Sequence, residues 1–237
     1  MTPQSRGARA LAGAAAMATL ALAPVLSQPG APDGASGLRE PAWAPDGKRL
    51  AVVFLDRIWT MTPDGRDGRP LVAETAVQRE PAWSPDGRRV AFSMDRGGGF
   101  DLFLVRSPEG RHPVERVTTA EGDERGAAWT PDGRLVFSHR PAGAAQWDLF
   151  VVAPEGDGGG WGAPARITAT SDNELQPRVS PDGMRLAFAS DRDSDEGDVD
   201  IWAMRMPAPG ERVPERSTAE RSTGGAVPRD AAREPAA

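Results

Sequence analysis

His112 and His139 are the only imidazoles in a chain of 237 residues that has no cysteine. That pair bounds the chemistry available. Zinc sites draw three or four ligands from closely spaced Cys, His and carboxylates. Here His112 stands in RHPVER and His139 in SHRP, each without a second His at ligand spacing. Thiolate nucleophiles, disulfides and a lipidated N-terminal Cys are excluded, and neither a GxSxG elbow nor HExxH occurs. Spacing alone does not exclude a Ser–His–Asp triad, yet nothing points to one, and both histidines read as surface or loop residues. The GGG runs at 97–99 and 158–160 lack the strand-to-helix context of a phosphate loop and read as flexible hairpin tips. The acidic stretch SDRDSDEGDVD at 190–200 places Asp191, Asp193 and Asp195 in the D-x-D-x-D order that opens a calcium loop. Position six is Glu196 instead of Gly and position twelve is Trp202 instead of Glu, which rejects an EF-hand. An irregular calcium site remains as the alternative to a solvated acidic hairpin tip, the preferred reading. The expectation is therefore no catalytic residue, no metal ligand, no cofactor-binding residue and no cofactor.

The elements that would carry these residues follow from a repeat. PAWAPDG (41–47), PAWSPDG (81–87), AAWTPDG (127–133) and PRVSPDG (177–183) share one pattern, with Asp46, Asp86, Asp132 and Asp182 spaced by 40, 46 and 50 residues. Pro fixes φ for the first central position of a type I turn, Asp favours the second, and Gly accepts the left-handed conformation that follows. After each turn comes a strand candidate, RLAVVF (49–54), RVAFS (89–93), RLVFS (134–138) or RLAFAS (185–190). A polar loop and a second strand candidate follow: IWTM (58–61), DLFLV (101–105), DLFVV (148–152) and DIWAM (200–204). Second turns are expected at TPDG (62–65), SPEG (107–110), APEG (153–156) and PAPG (207–210). A short last strand closes on RVT (116–118) or RIT (166–168), with PLV (70–72) as the looser first copy and Arg216–Thr218 where the fourth is expected. Four strands in a period of roughly 40–50 residues describe a propeller blade. The expected fold is all-β: a β-propeller of four-stranded antiparallel blades, four of them recognisable, as a partial or small ring. Trp43, Trp83 and Trp129 close the first strands and are expected between blades, with Val179 as the weaker fourth copy.

Composition agrees with a turn-rich β protein: 27 Gly, 23 Pro and 39% apolar residues. Residues 1–27 read as an export signal, with Arg6 and Arg9 ahead of the uncharged run 11–26 and small residues near Ser27. A spanning anchor is the alternative, although the run is shorter than a spanning helix needs. Cleavage there leaves 26 basic and 34 acidic residues, a net charge of −8 that lacks the footprint of nucleic-acid binding. The domain plan is a signal peptide at 1–27, a linker at 28–37, propeller repeats at 38–218 and a disordered tail at 219–237. The blades are expected at about 38–78, 79–124, 125–174 and 175–218.

The pattern PxWSPDGxxxAFxSDR, then D-[LI]-[FW], then R-[VI]-T, resembles the TolB-type, WD40-like propeller repeat, often called PD40. EPAWSPDGRRVAFSMDRGGGFDLFLV at 80–105 is close to it throughout. In that family the Asp–Arg steps, here Asp95–Arg96 and Asp191–Arg192, look structural, the Asp bonding turn amides and the Arg a neighbouring carboxylate. The resemblance implies an exported, periplasmic or secreted, non-catalytic scaffold for protein interaction in the bacterial envelope. Its partner would be a protein or peptide, a Tol-system component such as a peptidoglycan-associated lipoprotein among them. No membrane span remains after signal cleavage, and self-association through unpaired blade faces is expected. The chain also reads as a truncated copy of a longer propeller. The alternative is the N-terminal propeller of a prolyl-oligopeptidase-like peptidase or amidohydrolase whose catalytic domain is absent. A lectin-like module is a third reading that no residue favours.

Overall fold

The computed structural model describes residues 37–106, 113–156, 160–194, 197–211 and 219–221. Among them there is no α-helix; four antiparallel four-stranded sheets stand as the blades of a β-propeller. Blade one is β1 (Arg39–Trp43), β2 (Leu50–Phe54), β3 (Arg57–Met61) and β4 (Arg69–Pro70). Blade two is β5 (Val77–Trp83), β6 (Arg89–Asp95), β7 (Phe100–Arg106) and β8 (Val114–Arg116). Blade three is β9 (Gly122–Trp129), β10 (Leu135–Pro141), β11 (Asp148–Val152) and β14 (Ala165–Arg166). Blade four is β15 (Glu174–Val179), β16 (Arg185–Ser190), β17 (Asp200–Arg205) and β18 (Glu220–Arg221). In blade three β12 (Pro154–Glu155) pairs with β13 (Gly160–Trp161) as a small separate hairpin, so APEG opens an extension where a tight turn was expected.

The PDG turns form as their residue types dictate. Ser84 N donates to Arg89 O at 2.8 Å, Gly87 N to Ser84 O at 2.9 Å, and Gly87 takes φ 69°. Ser84 Oγ donates to Asp86 Oδ1 at 2.5 Å, and that carboxylate accepts Arg88 N at 3.0 Å. The turns at 44–47, 130–133 and 180–183 repeat the closure onto Gly47, Gly133 and Gly183. Thr62–Gly65 closes the same way between β3 and β4.

Alternation along the strands sends one side-chain row toward the preceding blade and the other toward the next. Ala51, Val53 and Ile58 of blade one thus meet Val90, Phe92, Phe103 and Val105 of blade two in one buried cluster. Ala91, Leu102 and Leu104 meet Leu135 and Phe137 at the next junction, and Val136, Leu149 and Ile167 meet Leu186, Phe188 and Trp202 at the third. The inner strands β1, β5, β9 and β15 stand in succession about the axis. Trp83 and Trp129 are buried as expected, and each indole N–H donates to a carbonyl of the preceding inner strand, Ala42 O at 3.2 Å and Ala82 O at 3.0 Å. Trp43 departs from the expectation: it is 58% exposed, because among the described residues no inner strand precedes β1. At the far end Ile201 is 56% exposed, although its register equivalents Ile58, Leu102 and Leu149 are fully buried.

The outer strands carry a second repeat. Phe103 faces Arg116, Phe150 faces Arg166 and Trp202 faces Arg221, so Arg221 takes the place expected for Arg216. Residues 212–218 lie outside the described segments, whereas β18 falls within the stretch read from composition as tail. Each of these arginines pairs with the aspartate two residues before that aromatic in the third strand: Arg116 with Asp101 at 2.7 Å, Arg166 with Asp148 at 2.5 Å, and Arg221 with Asp200. Blade one has Pro70 in place of the arginine and Arg57 in place of the aspartate, and Arg57 instead donates to Val72 O at 3.0 Å. The inner strands begin at Val77, Gly122 and Glu174, one to three residues ahead of the blade limits read from the sequence.

Candidate functional site

The inner strands share a distortion with no obvious mark in the sequence. Between Arg39 and Ala42 the register with β2 slips by one residue, and the same slip recurs at Arg79–Ala82 and Leu175–Arg178. In these three bulges Glu40, Glu80 and Gln176 adopt positive φ of 53°, 54° and 54°. β9 slips at the same place, between Arg125 and Ala128, where Gly126 has φ 66°. Non-glycine residues hold this conformation at a cost of about 1–3 kcal/mol each, and it persists where surrounding bonds over-determine it. Those bonds are visible. The Glu40 carboxylate accepts Glu80 N at 2.6 Å, and the Glu80 carboxylate accepts Gly126 N at 2.8 Å. Each bulge therefore grips the amide of the next, and Gly126, lacking a side chain, ends the series.

Around these bulges lies a cleft of about 650 Å³, which reaches from Trp43 past Glu40 and Glu80 to Gln176, Arg178 and Val179. A smaller recess of about 200 Å³ beside it is walled by Glu80, Arg125, Ser138 and Trp147. Arg125 lies over the Phe100 ring at 4.3 Å, and Arg140 over Trp147 at 4.9 Å. An exposed indole, two carboxylates and guanidinium–aromatic stacks thus stand in and beside the cleft.

Behind the cleft, buried polar groups tie the blades together. Thr118 Oγ1 accepts Leu102 N at 2.9 Å and donates to Glu124 Oε2 at 3.1 Å. One blade on, Thr168 Oγ1 accepts Leu149 N at 2.8 Å and donates to Glu174 Oε2 at 2.7 Å. Across each carboxylate stands a basic group: His139 Nδ1 is 3.1 Å from Glu124 Oε1, and Arg192 donates to Glu174 Oε1 at 2.6 Å. At the first junction Val72 replaces the threonine, Gln78 Oε1 accepts Ile58 N directly at 3.0 Å, and Met94 lies opposite Gln78. Burial pushes the Glu174 carboxyl above its ordinary range, offset in part by hydrogen bonds from Thr170, Thr168 and Arg192.

His139 thus corrects the surface reading. It lies inside β10, 6% exposed, edge-on to Phe150 at 5.0 Å. Leu135 and Phe137 point toward blade two, and alternation puts His139 on that same face. His112 lies outside the described residues. Of the acidic stretch, Asp195 is outside them too, and Asp191 is committed elsewhere: its carboxylate accepts Asn173 N at 2.6 Å and Asn173 Nδ2 at 2.7 Å. Among the described residues no three His, Asp or Glu converge as metal ligands. Asp95 accepts Gly97 N at 2.6 Å, and Arg96 makes a two-bonded pair with Glu74 at 2.6 and 2.9 Å. The Glu124 and Glu174 latches were missed in the sequence, yet each glutamate follows the threonine of R-[VI]-T by six residues.

Fold and cleft define a class: a β-propeller of repeated PDG blades, open to solvent along its inner strands. The family model described as the TolB beta propeller domain, PD40, matches residues 33–157, more than half of the chain, which therefore belongs to that family. Among solved structures, TolB from Acinetobacter baumannii aligns with a TM-score of 0.59 at 19% identity, over 78% of this chain and 43% of that one. A puromycin-hydrolyzing peptidase from Mycobacterium tuberculosis aligns with a TM-score of 0.53 at 20% identity, over 71% of this chain and 30% of that one. Hydrazine synthase from Kuenenia stuttgartiensis aligns with a TM-score of 0.52 at 17% identity, over 62% of this chain and 26% of that one. These likenesses concern the fold, and the chain spans less than half the length of each. Comparison with curated proteins gives no match.

Proposed function

We propose that the chain is an exported, non-catalytic propeller that holds a protein or peptide partner of the bacterial envelope in its central cleft. The observation that supports this most is the cleft itself. Trp43 is presented at 58% exposure beside carboxylates fixed by backbone amides, so a partner meets a pre-formed surface. Membership of the TolB propeller family makes envelope lipoproteins of the Tol system the first partners to try. A photo-crosslinking residue at position 43, expressed in cells, tests the reading. The expected result is a discrete adduct with an envelope protein, absent when the probe sits at exposed Leu55. Recovery of the chain in the cytoplasm, or identical adducts from both positions, would overturn it.

A second reading takes the chain as the propeller part of a hydrolase, and the fold it shares with the Mycobacterium peptidase favours it. An immunoblot of the source cells showing a larger species with peptidase activity would replace the first reading with this one. The open face of blade four around Ile201 supports self-association as a property of either.

A further inference from the structure

A second cleft, of about 710 Å³, lies between the PDG turns of blades one and two, at the end of the ring opposite the β6–β7 loop. Four arginines line it, Arg49, Arg88, Arg89 and Arg106, with the Trp83 indole in its wall. Among the described residues the only carboxylates in the lining are Asp46 and Asp86, and both already serve their turns, accepting Lys48 N and Arg88 N at 3.0 Å each. Arg106 is held by Glu115 at 2.9 Å, and Arg49 donates to Thr60 Oγ1 at 3.1 Å. Arg89 rests over the Trp129 ring at 4.4 Å, and neither Arg88 nor Arg89 has an ion-pair partner among the described residues.

In the next blade the same repeat position is closed. Arg134 occupies the place of Arg89 and is almost wholly covered. Its guanidinium donates to Asp132 at 2.9 and 3.1 Å and to Pro207 O at 3.1 Å. Blade two keeps an aspartate at the corresponding turn, yet its guanidinium rests on an aromatic face while Arg89 lines the cleft. In a chain with an excess of acidic residues, such a local surplus of forked donors favours oxyanions. The volume suits a small molecule.

We infer that this cleft binds a small oxyanionic ligand with at least two negative charges, carboxylate or phosphate, through Arg88 and Arg89 with Arg49 and Arg106 at its rim. The role is separate from partner binding in the central cleft. Calorimetry on the purified full chain tests it, with inorganic phosphate and citrate as probes. Binding of phosphate alone assigns a phosphate-bearing ligand; binding of citrate alone assigns a polycarboxylate. Arg88→Gln and Arg89→Gln should each weaken the binding about tenfold or more, because each removes a charge-assisted donor pair. Arg96→Gln, which removes the same charge at the other end of the ring, should leave it unchanged. Arg88 is exposed, so its substitution keeps the test valid even where loss of the Arg89 stack disturbs folding. No heat with either probe up to about 10 mM, or equal losses in all three variants, would overturn the inference.

Discussion

Thr118→Val asks how much one buried hydroxyl contributes at a blade junction. Thr118 is 1% exposed and Glu124 and Leu102 are fully buried. Its Oγ1 accepts Leu102 N and donates to Glu124 Oε2, so the isosteric valine strands one backbone N–H and takes a donor from a buried carboxylate. Each unsatisfied buried group costs about 1–3 kcal/mol, which predicts a loss of about 2–4 kcal/mol, a large part of a typical domain's stability. The first junction supplies the control, because nature already places valine there. Val72 is tolerated because Gln78 Oε1 reaches Ile58 N directly and Met94 stands opposite. Transplanting that set, as Thr118→Val with Glu124→Gln and His139→Met, should return the protein to within about 1 kcal/mol of the parent. Urea unfolding followed by tryptophan fluorescence, with seven tryptophans as reporters, gives both numbers. The reasoning fails if the triple variant is as unstable as the sum of its single changes. It also fails if Thr118→Val alone costs less than about 0.5 kcal/mol.

Three further perturbations follow from the geometry. The Asp182 carboxyl is held below its ordinary range by the hydrogen bond from Ser180 and then by Met184 N, so its contribution is present above the usual carboxylate range and is lost as pH falls through the lowered value. Asp182→Asn should accordingly flatten the acid side of a plot of Tm against pH and leave its alkaline side unchanged. Leu149→Asp should prevent folding, whereas Ile201→Asp at the equivalent position should cost no more than about 0.5 kcal/mol and reduce self-association in light scattering. A Cβ at Gly122 would lie 2.1 Å from Arg140 O, so Gly122→Ala should cost more than about 3 kcal/mol. At Gly97, with φ 98° and open space around it, the same change should cost about 1 kcal/mol, read from the same unfolding curves.

The architecture was legible because its determinants are local. Pro85, Asp86 and Gly87 dictate a turn wherever they occur, and RVAFS or DLFVV alternates or runs apolar within one strand. What escaped depends on neighbours in space. Trp43 has the same sequence context as Trp83, and what separates an exposed indole from a buried one is that, among the described residues, an inner strand precedes β5 and none precedes β1. His139 looked like a loop residue because the apolar run ends at Phe137. Period-two counting carried two residues further would have placed it inside. The bulges left weaker traces, since Glu40, Glu80 and Gln176 each precede a proline, a context that gives no hint of a left-handed conformation. The arginine cleft was invisible because Arg89 and Arg134 occupy the same repeat position, and only folding shows one closed and the other open.

The buried carboxylates at the second and third junctions should respond differently to the same substitution, and the reason is the base opposite each. Glu124→Gln leaves His139, whose Nδ1 stands 3.1 Å from Glu124 Oε1 and is no permanent cation. Glu174→Gln leaves Arg192, a guanidinium that stays charged in any folded protein and is 8% exposed. Breaking a buried pair so that its cation remains typically costs about 3–5 kcal/mol, whereas removing both partners is often close to neutral. Glu174→Gln should therefore be clearly more destabilising than Glu124→Gln at pH 7.5, and Arg192→Met added to it should recover most of the loss. The raised Glu174 carboxyl fits this account. The folded state holds that proton more tightly than the unfolded chain, so the contribution is present below the usual carboxylate range and lost as pH rises through the raised value. The ionised carboxylate is then a burden that Thr170, Thr168 and Arg192 offset only in part. Equal losses for Glu124→Gln and Glu174→Gln in urea unfolding, with no recovery from Arg192→Met, would show that the junctions are held by apolar packing alone.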